Sequence, residues 1–277
     1  MNRNNRKWLA SLVASGVLAA GAGGAHVALA ADQTVRVGIM SGEDEDVWRV
    51  VAANAAKHGL AVKVTTFNDY TQSNEALSER DLDANSFQHK PYLDAQIKAH
   101  NYAIVPMGYT YVQPIGLYSV KVKSVADLPQ GAVIGVPNDP SNEGRALLLL
   151  QAQGLITLRG DLGLLPTARD IEKNPKDIKI KELDAGIVGR AIRDLDAAVI
   201  NTDWAIKSGI RIPDQRIAQE AVGGNPYRNF IAVNAKDENA PWVRALVESY
   251  QQPNVAHEIL AVYHGATLPA WQGAPQH

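Results

Sequence analysis

The hydrophobic pattern of the chain opens with segments typical of a parallel α/β unit. Residues 34–39 alternate apolar and polar side chains, which predicts a β-strand. Residues 47–55 repeat apolar side chains every four positions, which predicts a helix, and Gly59 lies where that helix ends. Residues 60–67 predict a second strand. A strand, a helix and a strand in this order are the building unit of a parallel sheet.

A second, similar opening follows later in the chain. Residues 132–136 form an apolar strand pattern, residues 137–142 are rich in turn-forming side chains, and residues 144–153 predict a helix that ends at Gly154. Two such openings favour two similar α/β lobes. The remaining predicted elements are strands at 178–183, 197–200 and 229–233 and helices at 189–195 and 242–251.

Two stretches can carry the chain between the lobes. Residues 109–118 are rich in β-forming side chains and contain Pro and Gly, and residues 226–233 can form the return crossing. We therefore predict an α/β fold of two lobes, each a sheet flanked by helices, with lobe 1 at 31–115 plus 226–277 and lobe 2 at 116–225. The cleft between the lobes is where a small ligand is expected. One continuous doubly wound sheet is the alternative.

The first thirty residues have the pattern of a secretory signal peptide. Three basic residues fall within the first seven positions, residues 8–20 are mostly apolar, and the small residues Ala28 and Ala30 suit a signal peptidase. We predict cleavage after residue 30, so that residues 1–30 are a signal peptide. A retained membrane anchor is the alternative, although the apolar run is shorter than the roughly 20 residues of a spanning helix.

Charge and cysteine content narrow the function classes. The segment 1–30 holds three of the 27 basic residues and no acidic one, so the remainder carries 24 basic against 29 acidic residues, a net charge of about −5. This balance argues against a nucleic-acid partner. The chain has no Cys, so we expect neither disulfides nor a lipid-modified N-terminal Cys. The sequence therefore predicts a periplasmic protein without a lipid anchor.

The sequence gives little indication of a catalytic site or a metal site. The chain contains no GxSxG, GxxxxGK[ST], HExxH or strand-associated GxGxxG motif. The acidic run 43–46 resembles a metal site, but it lies beside a predicted helix start, where acids complement the helix dipole. We predict a chain that is not an enzyme and that holds no metal and no cofactor.

The loop before the helix at 144–153 has the sharpest local signal. Asn142 is a good N-cap, and Arg145 follows three residues later. A cation in the first turn opposes the helix dipole, which makes sense if the carboxylate of a ligand lies at that helix end. An exposed Arg that reaches sideways is an equal alternative.

Two further parts of the chain contain the polar and apolar side chains that binding of an amphiphilic ligand requires. Asn201 ends an apolar strand and can both donate and accept hydrogen bonds, although a simple strand-ending turn explains it equally well. Tyr70 lies beside Asn68 and Asp69, and Phe87 lies between polar residues that include His89. We expect these residues in short loops, and such loops suit a pocket that encloses an apolar side chain, while core packing is the default role of the aromatic residues.

Several segments together resemble the methionine-binding lipoprotein family of ABC importers, the MetQ/NlpA type. The similarity runs from about Val35 to Val262. The matching segments are FNDY at 67–70, NEAL at 74–77, DANSFQHKPYL at 83–93, VPNDPSNEGRAL at 136–147, GLLPT at 163–167, NPK at 174–176 and AVINT at 198–202.

The resemblance implies a periplasmic binding protein fold that closes on free methionine and delivers it to a permease and an ATPase at the inner membrane. It implies a monomer. It also implies that Arg145 meets the ligand carboxylate, and that Asn142 and Asn201 take part in binding. The residues that would enclose the thioether side chain are Tyr70, Phe87, His89 and Tyr92.

Two departures from the family pattern stand out. The family usually carries a lipobox Cys, which this chain lacks, and Asp203-Trp204 follows Asn201-Thr202 where a less acidic continuation is expected. The second departure bears on how the ammonium end of the ligand is held. Three other functions remain open: a binding protein for another amino acid, a methionine-containing dipeptide or a sulfonate; a periplasmic hydrolase or transferase on the same architecture; and a secreted adhesive protein.

Overall fold

The structure is a computed structural model that describes residues 33–212 and 214–272. The predicted signal peptide at 1–30 lies outside these residues. Among the helices of the described ranges, none combines the length and the apolar character needed to cross a bilayer.

One sheet of six strands forms the first half of the fold. Its strands are β1 (Gln33–Met40), β2 (Leu60–Phe67), β3 (Ala84–His89), β4 (Ile104–Val112), β12 (Arg228–Asn234) and β13 (Leu268–Pro269). The order across the sheet is β13-β4-β12-β3-β1-β2. Strands β1, β2 and β3 run parallel, whereas β12 pairs antiparallel with both β3 and β4. The predicted strand–helix–strand opening is therefore confirmed.

Five helices accompany this sheet. They are α1 (Glu43–Ala56), α2 (Gln72–Ser78), α3 (Lys90–His100), α7 (Pro241–Tyr250) and α8 (Pro253–Val262). The helix α1 packs Val47, Trp48 and Val51 into a core that also contains residues of α7 and α8. Apolar side chains four positions apart lie on one face of a helix, so the spacing at 47–55 produces this buried stripe.

A second sheet of five strands forms the other half. Its strands are β5 (Gly116–Tyr118), β6 (Val133–Pro137), β9 (Lys179–Leu183), β10 (Ala197–Ile200) and β11 (Arg216–Gln219), in the order β11-β5-β10-β6-β9. The helices α4 (Pro140–Ala152), α5 (Ala185–Val188) and α6 (Thr202–Lys207) follow β6, β9 and β10 along the chain. A separate pair consists of β7 (Thr157–Leu158) and β8 (Ile171–Lys173). Three 3₁₀ turns lie at Ala168–Asp170, Ile192–Asp194 and Ala235–Asp237.

Two sheets, rather than one continuous sheet, confirm the predicted two-lobed α/β fold. The described strands of the first sheet lie within 33–112 and 228–269, and those of the second lie within 116–219. The chain passes between the sheets at residues 113–115 and returns at 220–227, and we call these segments the first and the second crossing. The lobe boundaries given above stay a prediction.

Two of the predicted helices begin or lie elsewhere. The helix predicted at 189–195 is wrong, because α5 ends at Val188 and a 3₁₀ turn follows. The helix predicted at 144–153 begins four residues earlier, at Pro140. Pro has no N–H to lose and its φ suits a first helical turn, so a proline that seemed part of the loop opens the helix instead.

Gly144 lets another segment approach α4 closely. A Cβ atom at this position would lie 2.5 Å from the backbone oxygen of Leu164 and 2.9 Å from Cα of Leu165. Gly in a helix interior usually lowers stability relative to Ala. At this position the missing side chain allows the segment around residues 164–166 to pack against α4, close to Asn142 and Arg145.

Candidate functional site

All seven residues predicted to bind a ligand line one cavity. The lining residues come from the loop after β2, from β3, α3, the first crossing and α4, from the segment where β10 ends and α6 begins, and from β12, so both sheets contribute. The lining residues are Tyr70, Phe87, Gln88, His89, Tyr92, Gln113, Asn142, Arg145, Asn201, Thr202 and Asn229.

The start of α4 differs from the expectation that Asn142 caps it. Asp139 is the N-cap, and its carboxylate accepts from the backbone N–H of Asn142 at 3.0 Å and from the side-chain Nδ2 of Asn142 at 2.9 Å. Asn142 is therefore the third residue of α4, and Arg145 is the sixth. The prediction that Arg145 lies in the first turn against the helix dipole is wrong.

Asn142 is the centre of a hydrogen-bond network that joins the two sheets. Its Oδ1 accepts from Nδ2 of Asn201 at 3.0 Å and lies 3.3 Å from Nε2 of His89. Its Nδ2 donates to Asp139, which fixes which end of the amide is oxygen. His89 belongs to the first sheet, while Asn142 and Asn201 belong to the second, so this network holds the cavity together from both sides.

The ring of His89 is held in one neutral tautomer. Its Nδ1 accepts from the backbone N–H of Tyr92 at 3.2 Å and caps α3, so the proton lies on Nε2, which donates to Oδ1 of Asn142. Burial and, to a smaller extent, the positive charge of Arg145 together lower the pKa of His89 to about 3. The cavity therefore presents an uncharged imidazole at neutral pH.

The neutral state of His89 predicts a loss of stability in acid. The unfolded chain takes up a proton near pH 6.5, whereas the folded protein resists protonation until about pH 3. The contribution of His89 is therefore fully present above pH 6.5, and it falls by up to about 1.4 kcal/mol per pH unit below it.

Urea unfolding at pH 7, 6, 5 and 4 measures this effect. Wild-type protein is expected to lose stability relative to His89→Gln as the pH falls. The exposed His58 gives a matched control, because His58→Gln should follow the wild type at every pH. Parallel curves for wild type and His89→Gln would contradict the assignment.

An aromatic cluster forms the apolar wall of the cavity. The ring centroids of Tyr70, Phe87 and Tyr92 lie 5.8–6.0 Å from one another. The hydroxyl of Tyr92 donates to the backbone oxygen of Tyr70 at 3.0 Å, which orients the ring. Trp204 adds a fourth ring, 5.6 Å from Tyr70. These aromatic faces suit a flexible apolar or thioether side chain.

Arg145 is buried and already has an anionic partner within the protein. Its Nε donates to the two carboxylate oxygens of Glu220 at 2.9 and 3.1 Å, and its Nη2 donates to Glu220 and to the backbone oxygen of Gln113, the latter at 2.7 Å. Its guanidinium carbon lies 4.2 Å from the ring centroid of Tyr227. The alternative of an exposed Arg is therefore wrong. These bonds use Nε and Nη2, which leaves Nη1 for a ligand.

Two buried polar atoms of the cavity lining have no hydrogen-bond partner among the described residues. They are the Oδ1 acceptor of Asn201 and the Nε2 donor of Gln113. An unsatisfied buried polar group costs about 1–3 kcal/mol. A ligand that offers both a donor and an acceptor removes this cost. An α-amino acid has these two groups on one carbon atom.

Asp203, one of the two unusual residues after the AVIN strand, contacts a cavity residue rather than the cavity itself. Its carboxylate accepts from the hydroxyl of Tyr70 at 2.8 and 2.9 Å, which links α6 to the loop after β2. Burial raises the pKa of Asp203, and the positive charge of Lys207 opposes that rise. The acidic continuation thus fixes the aromatic wall.

Sequence reasoning missed four lining residues and the anionic partner of Arg145. Gln88 and Thr202 lie inside matching segments, and Asn229 pairs with His89 across the strands β12 and β3, so their neighbours give a weak signal. Gln113 precedes a proline at the first crossing. For Glu220 the sequence gives no signal, because it lies 75 positions from Arg145. Over residues 33–212 and 214–272, no group of three or more His, Asp or Glu side chains is arranged to hold a metal ion.

Comparisons with known proteins agree on one family. The family model of the NlpA lipoproteins matches residues 35–271. The D-methionine-binding lipoprotein MetQ of Salmonella typhimurium is 44% identical over 240 residues, which cover 86% of this chain and 88% of the relative.

Solved structures give the same result. A nutrient-binding protein of Burkholderia cenocepacia bound to methionine is 51% identical, with a TM-score of 0.83 over 86% of this chain and all of the other chain. A periplasmic substrate-binding protein of an ABC transporter from Coxiella burnetii is 42% identical, with a TM-score of 0.82 over 85% of this chain and all of the other.

These comparisons correct the prediction of a periplasmic protein without a lipid anchor. The matching family is one of lipoproteins, and its relatives are named lipoproteins. The prediction rested on the absence of Cys, a composition count that tests only one way of attaching a chain to a membrane. With a match over residues 35–271 and 44% identity to a curated relative, the chain belongs to the NlpA lipoprotein family.

Proposed function

We propose that this chain is the substrate-binding component of an ABC importer and that it captures methionine for uptake. The observation that carries the proposal is the pattern of unsatisfied polar atoms in the cavity beside its aromatic wall. The names of the MetQ relative and of the methionine-bound Burkholderia structure support the choice of ligand. The Coxiella structure, named as part of an ABC transporter, supports the assignment to an importer.

The polar end of the ligand is expected to bind between the two crossings. Nη1 of Arg145 and Nε2 of Gln113 donate to the carboxylate, while Oδ1 of Asn201 accepts from the ammonium group. Asn142 keeps the amide of Asn201 in this orientation through the bond from its Nδ2, which leaves its Oδ1 without a partner among the described residues. The site is therefore preorganised for a zwitterion, which lowers the cost of ordering on binding.

The thioether side chain is expected to lie against the rings of Tyr70, Phe87, Tyr92 and His89. Burial of a methionine side chain contributes roughly 1.5–3 kcal/mol. Each charge-assisted hydrogen bond adds roughly 1.5–3 kcal/mol. After the costs of association and closure, these contributions support micromolar or tighter binding, about −8 kcal/mol or better.

The two-sheet architecture supports a role in the capture of a ligand between two lobes. We propose that the lobes at 31–115 plus 226–277 and at 116–225 close on the ligand, because the cavity lining comes from both sheets. The closed protein acts as a monomer and presents its ligand to a permease and ATPase pair. The comparisons support this role through the family, which is one of binding proteins.

We further propose that the chain is not an enzyme. The hydroxyl of Thr202 donates to the backbone oxygen of Pro114 at 2.8 Å, and the ring of His89 is engaged by the backbone of Tyr92 and by Asn142. Neither group is therefore arranged as a nucleophile with its base. These bonds support a role in holding a ligand rather than in reacting with it.

Replacement of Asn201 tests the site. Asn201→Ala is expected to weaken methionine binding at least tenfold, about 1.4 kcal/mol, because the acceptor for the ammonium group is lost. Isothermal titration calorimetry of protein freed of ligand measures the change. Asn239 is exposed on the surface, and Asn239→Ala should bind as the wild type does. Unchanged affinity of Asn201→Ala would overturn the site assignment.

Native mass spectrometry tests the ligand itself. Protein purified without added ligand is expected to release a species with the mass of methionine, and competition with other amino acids and methionine-containing dipeptides should fail at equal concentration. A different released species would replace methionine as the ligand.

A further inference from the structure

The charge of the cavity lining depends on one residue. Among the lining residues that the structure describes, Arg145 is the only one that carries a charge at neutral pH. Its side chain is 3% exposed, so its charge is little screened by water. An uncompensated guanidinium in such a place would attract any carboxylate, with or without an ammonium group beside it.

Glu220 compensates this charge from behind the cavity. Its carboxylate bonds Nε and Nη2 of Arg145, and its Oε1 also accepts from the backbone N–H of Ile115 at 3.0 Å. Glu220 does not line the cavity; it faces an open groove on the other side of Arg145, beside Tyr227. Two anchors, one on α4 and one on the first crossing, therefore fix the carboxylate outside the lining of the cavity.

The paired charges leave the cavity close to neutral overall. Two further carboxylates near the cavity lie outside its lining, with Asp139 bonded to Asn142 and Asp203 bonded to Tyr70. A neutral cavity with separate donor and acceptor atoms fits a ligand that carries both charges. A ligand that carries a carboxylate alone is repelled by the negative charge of Glu220, although the two groups are not in contact. Such a ligand also leaves Oδ1 of Asn201 without a hydrogen-bond donor.

We propose that Glu220 is a specificity-determining residue that makes the site select zwitterionic amino acids over monoanionic acids with the same side chain. Glu220 acts through Arg145 and touches no ligand. This inference rests on the proposed function, because the ligands compared below share the side chain of methionine.

The experiment compares methionine with 4-(methylthio)butanoate, which is methionine with hydrogen in place of the amino group. The affinity ratio of the two ligands is measured by calorimetry at pH 7.5 for the wild type and for Glu220→Gln. The glutamine keeps an oxygen for Arg145 and for the N–H of Ile115 but removes the negative charge. We expect the ratio of methionine to 4-(methylthio)butanoate affinity to fall at least tenfold.

Two further variants complete the test. Glu143→Gln is the matched control, since Glu143 lies on α4 with Arg145 but accepts from the backbone N–H of Ala168 instead of from Arg145. Its affinity ratio should equal that of the wild type. Arg145→Gln reverses the charge change, so the ratio should rise. This second variant also decides the question if Glu220→Gln does not fold.

The outcomes separate the two proposals. Wild-type protein that binds neither ligand would overturn the proposed function and this inference together. Wild-type binding of methionine with an unchanged ratio in Glu220→Gln or in Arg145→Gln would overturn the inference alone, because a merely structural role would weaken both ligands equally.

Discussion

Arg145→Met is expected to weaken methionine binding at least 100-fold, about 2.7 kcal/mol, and to lower the free energy of unfolding by about 3–5 kcal/mol. Binding suffers because the cavity loses the only cation of its described lining. Stability suffers because Glu220, with 13% of its side chain exposed, is left without its partner. The unpaired carboxylate, rather than the lost attraction, causes most of the second effect.

A double variant separates the two effects. In Arg145→Met/Glu220→Gln no charge is left unpaired, and the glutamine oxygen can still accept from the N–H of Ile115. Urea unfolding should then show that most of the lost stability returns, while calorimetry should show that methionine binding does not. Recovery of binding in the double variant would show that Arg145 makes no contact with the ligand.

Asp44→Asn is expected to stabilise the ligand-free protein relative to wild type at pH 8, by an amount that shrinks as the pH falls to 5. Asp44 is 2% exposed in the first turn of α1 and accepts from the hydroxyls of Tyr263 and Tyr111 at 2.9 and 3.0 Å. Burial is the main cause that raises the pKa of its carboxyl, and the negative charge of Asp203 adds to it. These two bonds and the positive charge of Lys207 lower the pKa, and the net value is about 7.

The sign of this pH dependence follows from the proton that the carboxyl of Asp44 retains in the folded protein. Between the ordinary pKa of an aspartate and about 7, the folded protein keeps a proton that the unfolded chain has released. The contribution of Asp44 is therefore present in acid and is lost as the pH rises, at up to about 1.4 kcal/mol per unit, with no further change above pH 7. Any free-energy cost of fitting an amide into the site does not depend on pH. The informative quantity is therefore the slope, against pH, of the stability difference between Asp44→Asn and wild type.

Urea unfolding of wild type and Asp44→Asn at pH 5, 6, 7 and 8 measures that slope. Asp46 lies in the same turn, is about half exposed and pairs with Arg49 at 2.6 Å, so Asp46→Asn is the control and should give a constant difference from wild type. A constant difference for Asp44→Asn would contradict titration of Asp44 in this range.

The elements with a strong hydrophobic pattern were predictable from the sequence. The bounds of β2 and β10 agree with the predicted 60–67 and 197–200, and β1 differs by one residue at each end. Buried strands and amphipathic helices need apolar side chains at fixed spacings, whatever surrounds them. The acidic run 43–46 was also correctly assigned to a helix start, since α1 begins at Glu43.

The polar strand β3 could not be predicted from a hydrophobic pattern. All six residues of β3 are buried, yet Asn85, Ser86, Gln88 and His89 are polar, and the sequence suggested short loops there. The structure satisfies these amides through one another, as when Nδ2 of Asn74 donates to Gln88 at 2.8 Å and Nε2 of Gln88 donates back at 2.7 Å. A buried polar group needs a partner rather than an apolar character, and its partner lies elsewhere in the chain.

The candidate site shows the same division. The prediction that Arg145 lies in a first helical turn requires Asn142 as the N-cap, whereas Asp139 is the N-cap of α4. The family resemblance, and not the helix dipole, is the basis on which seven residues are predicted to bind one ligand. The structure places all seven around one cavity. They are Tyr70, Phe87, His89, Tyr92, Asn142, Arg145 and Asn201. Their role in binding stays a prediction that the variants above test.

The sequence by itself determined the α/β class, the parallel opening and the family, because local hydrophobic periodicity and long matching segments are properties of neighbouring residues. Only the tertiary structure decided the charge states of the buried ionisable residues. It placed Glu220 against Arg145 across 75 positions, buried Asp44 between two tyrosines and kept His89 neutral. Charge states depend on burial and on partners distant in the sequence, and folding alone brings those partners within a few ångströms.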